Sequence, residues 1–111
     1  MLSISGNAKI YVCLEVVDLR KGFDLLGAKV EELFPQKLLS FAYFVFFNKS
    51  RDRMKILYWD VDGLAIWYKR LEKGTFSRKI DQECLDRKSF LMLLEGVTPL
   101  KIQKRFSLKT C

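Results

Sequence analysis

Four cations alternate along one short stretch of the chain: Lys49, Arg51, Arg53 and Lys55. Successive side chains of an extended segment point to opposite faces, so a spacing of two puts all four on one side. Such a row suits the phosphates of a nucleic-acid backbone, which draw Lys and Arg through charge and counterion release. Lys69 and Arg70 stand one expected strand later and extend the row. The plainer structural role for the same residues is to guard the tip and edge of a solvated hairpin. Four aromatics, Tyr58, Trp59, Trp67 and Tyr68, interleave with these cations. Aromatic faces beside Lys and Arg can stack the bases of a single strand. An exposed Trp59 or Trp67 can instead anchor a protein partner. A strand also owes its alternate residues to the core, so half of these aromatics are expected to serve packing.

Enzymatic chemistry finds little to work with. The chain has no histidine, which removes the commonest general base and any Ser-His or Cys-His nucleophile. Gly22, Gly27, Gly63, Gly74 and Gly96 are too scattered for a phosphate-cradling loop. Asp60 and Asp62 form the best acidic pair and have the type needed to hold Mg²⁺. Asp62-Gly63, however, is favoured in hairpin turns for its backbone geometry alone, and the further spaced acids of a calcium loop are absent. No catalytic residue, metal, cofactor or small-molecule substrate is therefore assigned.

Composition sets the class. Of 111 residues, 50% are hydrophobic and 14% aromatic, too apolar for a disordered tail. Net charge is +7, with an isoelectric point near 9.5. Residues 1–48 carry five basic and five acidic side chains, so the whole excess lies in residues 49–111. A one-sided basic field attracts polyanions: DNA, RNA, anionic lipid or an acidic protein face. Cysteines at 13, 84 and 111 are odd in number, widely spaced and without a CxxC pair. Free thiols in a reducing cytoplasm account for them, and Cys13 lies in an apolar run that suits a core. The N-terminus lacks the pattern of a signal peptide. The longest apolar run, Phe41 to Phe47, is far short of the roughly 20 residues of a spanning helix. A membrane partner is not expected.

The elements that must position these residues follow from pattern. Ile10 to Leu14 reads as a first strand. Asp18 is placed to cap a helix whose apolar face runs through Phe23, Leu26, Val30, Leu33 and Phe34, with Pro35 as its stop. Phe41 to Phe47 is apolar at every position and reads as a central strand covered on both faces. Met54 to Trp59 and Leu64 to Tyr68 form a hairpin about Asp62-Gly63, and Phe76 to Ile80 reads as a short edge strand. Asp86 is placed to cap a second helix with Phe90, Leu93, Leu94 and Val97 on one face. The expectation is an α+β fold, a small antiparallel meander packed with two short helices, as one domain over residues 1–97 with a basic tail over 98–111.

Four blocks also resemble a known family. They are Val17-Asp18-Leu19-Arg20-Lys21-Gly22-Phe23-Asp24, the stretch from Phe44 to Asp60, the stretch from Tyr68 to Phe76, and Leu93-Leu94-Glu95-Gly96-Val97. In order and spacing, over roughly residues 10–97, they resemble the TnpB-type accessory proteins encoded by the second open reading frame of bacterial insertion sequences of the family numbered sixty-six. The sequence departs from that pattern at Ser40-Phe41, where a Gly is usual, and at Ser77-Arg78, where Trp-Pro is usual. The resemblance implies a non-catalytic helper of transposition, acting in the cytoplasm beside DNA and a separate transposase chain. It supplies no catalytic residues. Its marked blocks, Asp18 to Gly22, Arg51-Asp52-Arg53 and Lys69-Arg70-Leu71, otherwise read as a cap, a turn and a strand end. The alternatives are a protein–protein adaptor that touches no DNA and a metal-dependent nuclease built on Asp60 and Asp62.

Overall fold

The structure, a computed structural model, describes residues 8–35, 41–76 and 83–94. Seven elements follow in chain order: β1 (Lys9–Val12), α1 (Phe23–Leu33), β2 (Ala42–Phe47), β3 (Arg53–Asp60), β4 (Gly63–Arg70), β5 (Cys84–Leu85) and α2 (Arg87–Leu94). The strands make one sheet in the order β4-β3-β2-β1-β5. β2, β3 and β4 form the expected antiparallel meander. β1 departs from it: it lies parallel to β2, from Lys9 opposite Ala42 to Val12 opposite Val45. Parallel neighbours need a long crossover, and α1 supplies it. β5 pairs antiparallel with β1 on the far side. The fold is α+β, with a mixed and mostly antiparallel sheet.

The unbroken apolar run of β2 has a simple cause. Its residues alternate between two cores, one on each face of the sheet. Phe44 and Phe46 join Leu26 and Val30 of α1, together with Tyr11, Phe34 and Leu57. Val45 and Phe47 join Phe90, Leu93 and Leu94 of α2, together with Ile10, Met54 and Ile56. Rings lock each side. Tyr11, Phe34 and Phe44 lie 4.9 to 5.9 Å apart between centroids, and Phe47 meets Phe76 at 5.7 Å. Such pairs add to the value of the buried area itself.

Helix ends test the capping expectations. Asp86 caps α2 as its position implied: its carboxylate accepts the Ser89 N–H at 2.7 Å. Asp18 does not cap α1. The N-cap there is Gly22, with no side-chain hydrogen bond, because Asp18 is turned toward Arg20 instead. Phe34 leaves helical geometry directly before Pro35, as the restriction on a residue preceding proline requires.

Other boundaries shift. β1 stops at Val12, although Cys13 N–H still donates to Val45 C=O at 2.9 Å. The hairpin loop is Val61-Asp62, and Gly63 already pairs with Asp60. Phe76 is fully buried outside any strand. The remainder of the edge strand expected at 76–80 and the basic tail at 98–111 lie outside the described residues. β5 was not foreseen. Cys13 is a free, buried thiol, whereas Cys84 is disulfide-bonded, so the expectation of free thiols fails there. Among the described residues no helix is long and apolar enough to cross a membrane.

Candidate nucleic-acid interface

The site is built by two loops that meet at one end of the sheet. After β1 the chain continues beside β2, where Val17 N–H donates to Phe47 C=O at 3.1 Å. Burial of Val17 and Leu19 pins this segment. Between and after them, Asp18 closes a tight turn. Its carboxylate accepts the Arg20 backbone N–H at 3.0 Å and the Arg20 guanidinium at 2.8 to 3.3 Å. Those bonds from Arg20 hold the Asp18 carboxyl well below the usual carboxylate range. Hydrogen bonds to a charged form favour that form.

The second loop, between β2 and β3, is organised by Asn48. Its C=O accepts Arg51 N–H at 3.1 Å, its N–H donates to Arg53 C=O at 3.3 Å, and its Oδ1 accepts Arg53 N–H at 3.0 Å. Its Nδ2 donates to Asp52 Oδ1 at 2.7 Å, and this bond is the main reason Asp52 titrates below its ordinary value. Arg51 is left-handed, with φ of 61°. The turn ties to the rest of the sheet edge through Leu71 N–H on Asp52 C=O and Phe76 N–H on Arg51 C=O, both at 2.7 Å.

This geometry breaks the expected row of cations. The ladder with β4 begins only at Arg53, so Lys49 and Arg51 belong to the turn and do not follow strand alternation. Arg51 points its guanidinium over the ring of Phe47, 4.0 Å from the centroid, toward the α2 core. Arg53 and Lys55 share the other, α1 face. Directly opposite them on β4 stand Arg70 and Tyr68. Lys69, paired with Met54, lies on the α2 face. Its Nζ donates to Leu94 C=O at 2.5 Å, where it satisfies the end of α2 and complements the helix dipole.

Arg53, Lys55 and Lys49 are nonetheless gathered, by the turn and by the Asp18 loop rather than by alternation. They line an open groove of about 720 Å³ together with Arg20, Tyr68, Asn48 and Ser50. Among the described residues Asp18 is the only acid on its wall, and Arg20 already answers it. Lys55 Nζ donates to Lys21 C=O at 3.3 Å and stands 5.0 Å from the Tyr68 ring centroid, so it bridges the loop and the sheet. Tyr68 is half exposed. Arg70 sits at the rim, paired with Glu72 at 2.9 Å.

Arg20, Lys21 and Tyr68 were not among the residues selected from the sequence for this surface, apart from Tyr68 as one of four interleaved aromatics. The signal for Arg20 and Lys21 was present in the block Asp18 to Gly22, but that block reads as a helix cap until the fold is known. The three marked blocks now meet: the loop at 18–22, the turn at 51–53, and the end of β4 at 69–71. The tryptophans separate. Trp67 packs against the α2 core, whereas Trp59 is partly exposed near the β3–β4 tip beside the largely exposed Val61. Asp60 and Asp62 occupy that tip, and among the described residues no three His, Cys, Asp or Glu side chains are grouped to hold a metal ion.

Comparison with known proteins agrees with the resemblance. The family model for the IS66 Orf2-like protein matches residues 8–104. Two proteins of Sinorhizobium fredii (strain NBRC 101917 / NGR234) are similar. The uncharacterized protein y4hO is 30% identical over 76 residues, covering 68% of this chain and 66% of the relative. The uncharacterized protein y4jC is 34% identical over 76 residues, covering 68% and 65%. The match thus spans just under two thirds of either relative. No solved structure matches. The match over residues 8–104 takes in every described element and both loops of the groove, and the chain belongs to the IS66 Orf2-like family of insertion-sequence proteins.

Proposed function

We propose that this protein is a non-catalytic accessory factor of transposition that holds DNA in the groove between the Asp18 loop and the Asn48 turn. The observation that carries the reading is the convergence of Arg20, Lys49, Arg53 and Lys55 on one concave surface where, among the described residues, the single acid is already paired. Cations at this density recognise successive phosphates without reading sequence. Tyr68 adds a ring at the same wall, and stacking on aromatics is the common route to single strands. Arg70 extends the surface at the rim. Arg51 and Lys69 support the turn and α2 in this reading and do not contact DNA.

The test is retention of duplex and single-stranded DNA by the purified protein against salt, with Lys49→Glu/Arg53→Glu as the charge-reversed form. Loss of retention with an unchanged circular dichroism spectrum supports the groove. Equal retention by the reversed form refutes it.

A second reading, an adaptor that docks on the transposase, is favoured by one observation: Trp59 and Val61 present an apolar tip at the β3–β4 hairpin. Transposase binding that is insensitive to salt and lost in Trp59→Ala would favour it over DNA contact.

A further inference from the structure

β4 is the outermost strand of the sheet among the described residues, with β3 on one side. It runs eight residues, and its register with β3 is continuous from Asp60 opposite Gly63 to Arg53 opposite Arg70. A strand edge is a row of backbone donors and acceptors ready to pair with another chain, and natural sheets blunt it with proline, inward charges, bulges or short length. β4 has none of these over its first six residues. Leu64, Ala65, Ile66, Trp67 and Tyr68 are all apolar, all at least partly exposed, and unbroken by a bulge. The other end of the sheet is different: β5 is only two residues long.

The two ends of β4 carry opposite charge. Asp60 and Asp62 stand at its start, and Lys69 and Arg70 at its finish. An antiparallel neighbour of the same sequence therefore meets acid with base at both ends. We infer that β4 pairs antiparallel with β4 of a second copy, in a register centred on Ile66. That register sets Leu64 opposite Tyr68 of the second copy, Ala65 opposite Trp67, and Asp62 opposite Arg70. Shifting it by two residues sets Asp62 opposite Glu72 instead, so charge selects the centre.

Arg70 already bonds Glu72 through Nε at 2.9 Å, but that pair is exposed, and the guanidinium fork has further donors for a second carboxylate. A twofold axis closes the assembly at two copies and makes the contact self-complementary. Residues directly opposite in a sheet share a face, so both α1 faces lie on one side of the resulting ten-stranded sheet. The dimer stands whether or not the grooves on that side hold DNA.

Sedimentation velocity of the purified full chain without DNA, over a hundredfold range of concentration, tests the pairing. A monomer–dimer equilibrium is expected. Asp62→Arg and Arg70→Asp should each weaken it at least tenfold, and the combined Asp62→Arg/Arg70→Asp chain should recover it. A monomer at every concentration overturns the inference, as does a dimer indifferent to both single changes or not restored by the double one. Hydrogen exchange of the unaltered protein gives a second reading free of any folding defect. Alternate β4 amides on the outer edge should gain protection as concentration rises, and unchanged exchange rates there overturn it.

Discussion

Replacing Lys49 and Arg53 together with Gln removes two groove cations while leaving a shorter but still polar, hydrogen-bonding side chain at each position. The groove gathers Lys49, Arg53 and Lys55, and Arg20 is shared with Asp18. Three to four phosphate contacts give a slope of log affinity against log salt between about −2.7 and −3.6 on duplex DNA. Between 50 and 200 mM salt that is a loss of about forty- to one-hundred-and-fifty-fold in affinity, at roughly −0.9 per contact. The double variant keeps one or two contacts, and its slope should fall to between about −0.9 and −1.8, a loss of only about four- to twelvefold over the same range. Fluorescence anisotropy of a labelled duplex, titrated at several salt concentrations, measures both slopes. Lys69→Gln is the discriminating comparison, because its Nζ lies on the opposite face against Leu94 C=O; it should leave the slope unchanged. A double variant with the full slope, or a Lys69→Gln chain with an equally reduced one, refutes the placement of the interface.

Other outcomes follow from single residues. Val61 has φ of 56° and sits at the centre of a turn closed by Asp62 N–H on Asp60 C=O; a β-branched side chain is strained there, so Val61→Gly should stabilise by about 0.5–1 kcal/mol after the entropy cost of Gly, read as a higher urea midpoint. Asp86→Ala removes the cap on Ser89 N–H and should cost about 1 kcal/mol in the same assay. Asp52 is held below its ordinary 3.8 chiefly by Asn48, so the stability it contributes is present above that value and is lost as pH falls through the folded, lower pKa. Asn48→Ala should raise the Asp52 pKa in a side-chain NMR titration, and an unmoved titration would show that Asn48 is not its cause.

Much of the fold was legible because its signals are local. Period-3.6 spacing at Leu26 and Val30, the stop at Pro35, the cap at Asp86 and the Asp-Gly hairpin each depend on neighbours within a few residues. The unbroken run of β2 announced two covered faces. What escaped were features decided by competition between possible partners or by partners distant in the chain. Asp18 has the type and position of a cap, yet an arginine two residues away offers three charge-assisted bonds, and the helix starts at Gly22 without it. β5 is two residues that become a strand only because β1 lies beside them. The parallel pairing of β1 with β2 carries no local mark at all.

The candidate site divides in the same way. The sequence alone determined that the excess positive charge lies in the second half, that Arg53 and Lys55 share a face of a strand, and that the chain belongs with its family, since composition, alternation and block order are properties of the chain as written. Tertiary structure decided which cations meet. It turned Arg51 onto Phe47 because the turn at Asn48 sets a left-handed residue there, and it sent Lys69 to the end of α2 because strand parity puts it opposite Met54. It also brought Arg20 and Lys21 to Lys55 across more than thirty residues, because Val17 and Leu19 bury themselves against the sheet and carry the loop with them.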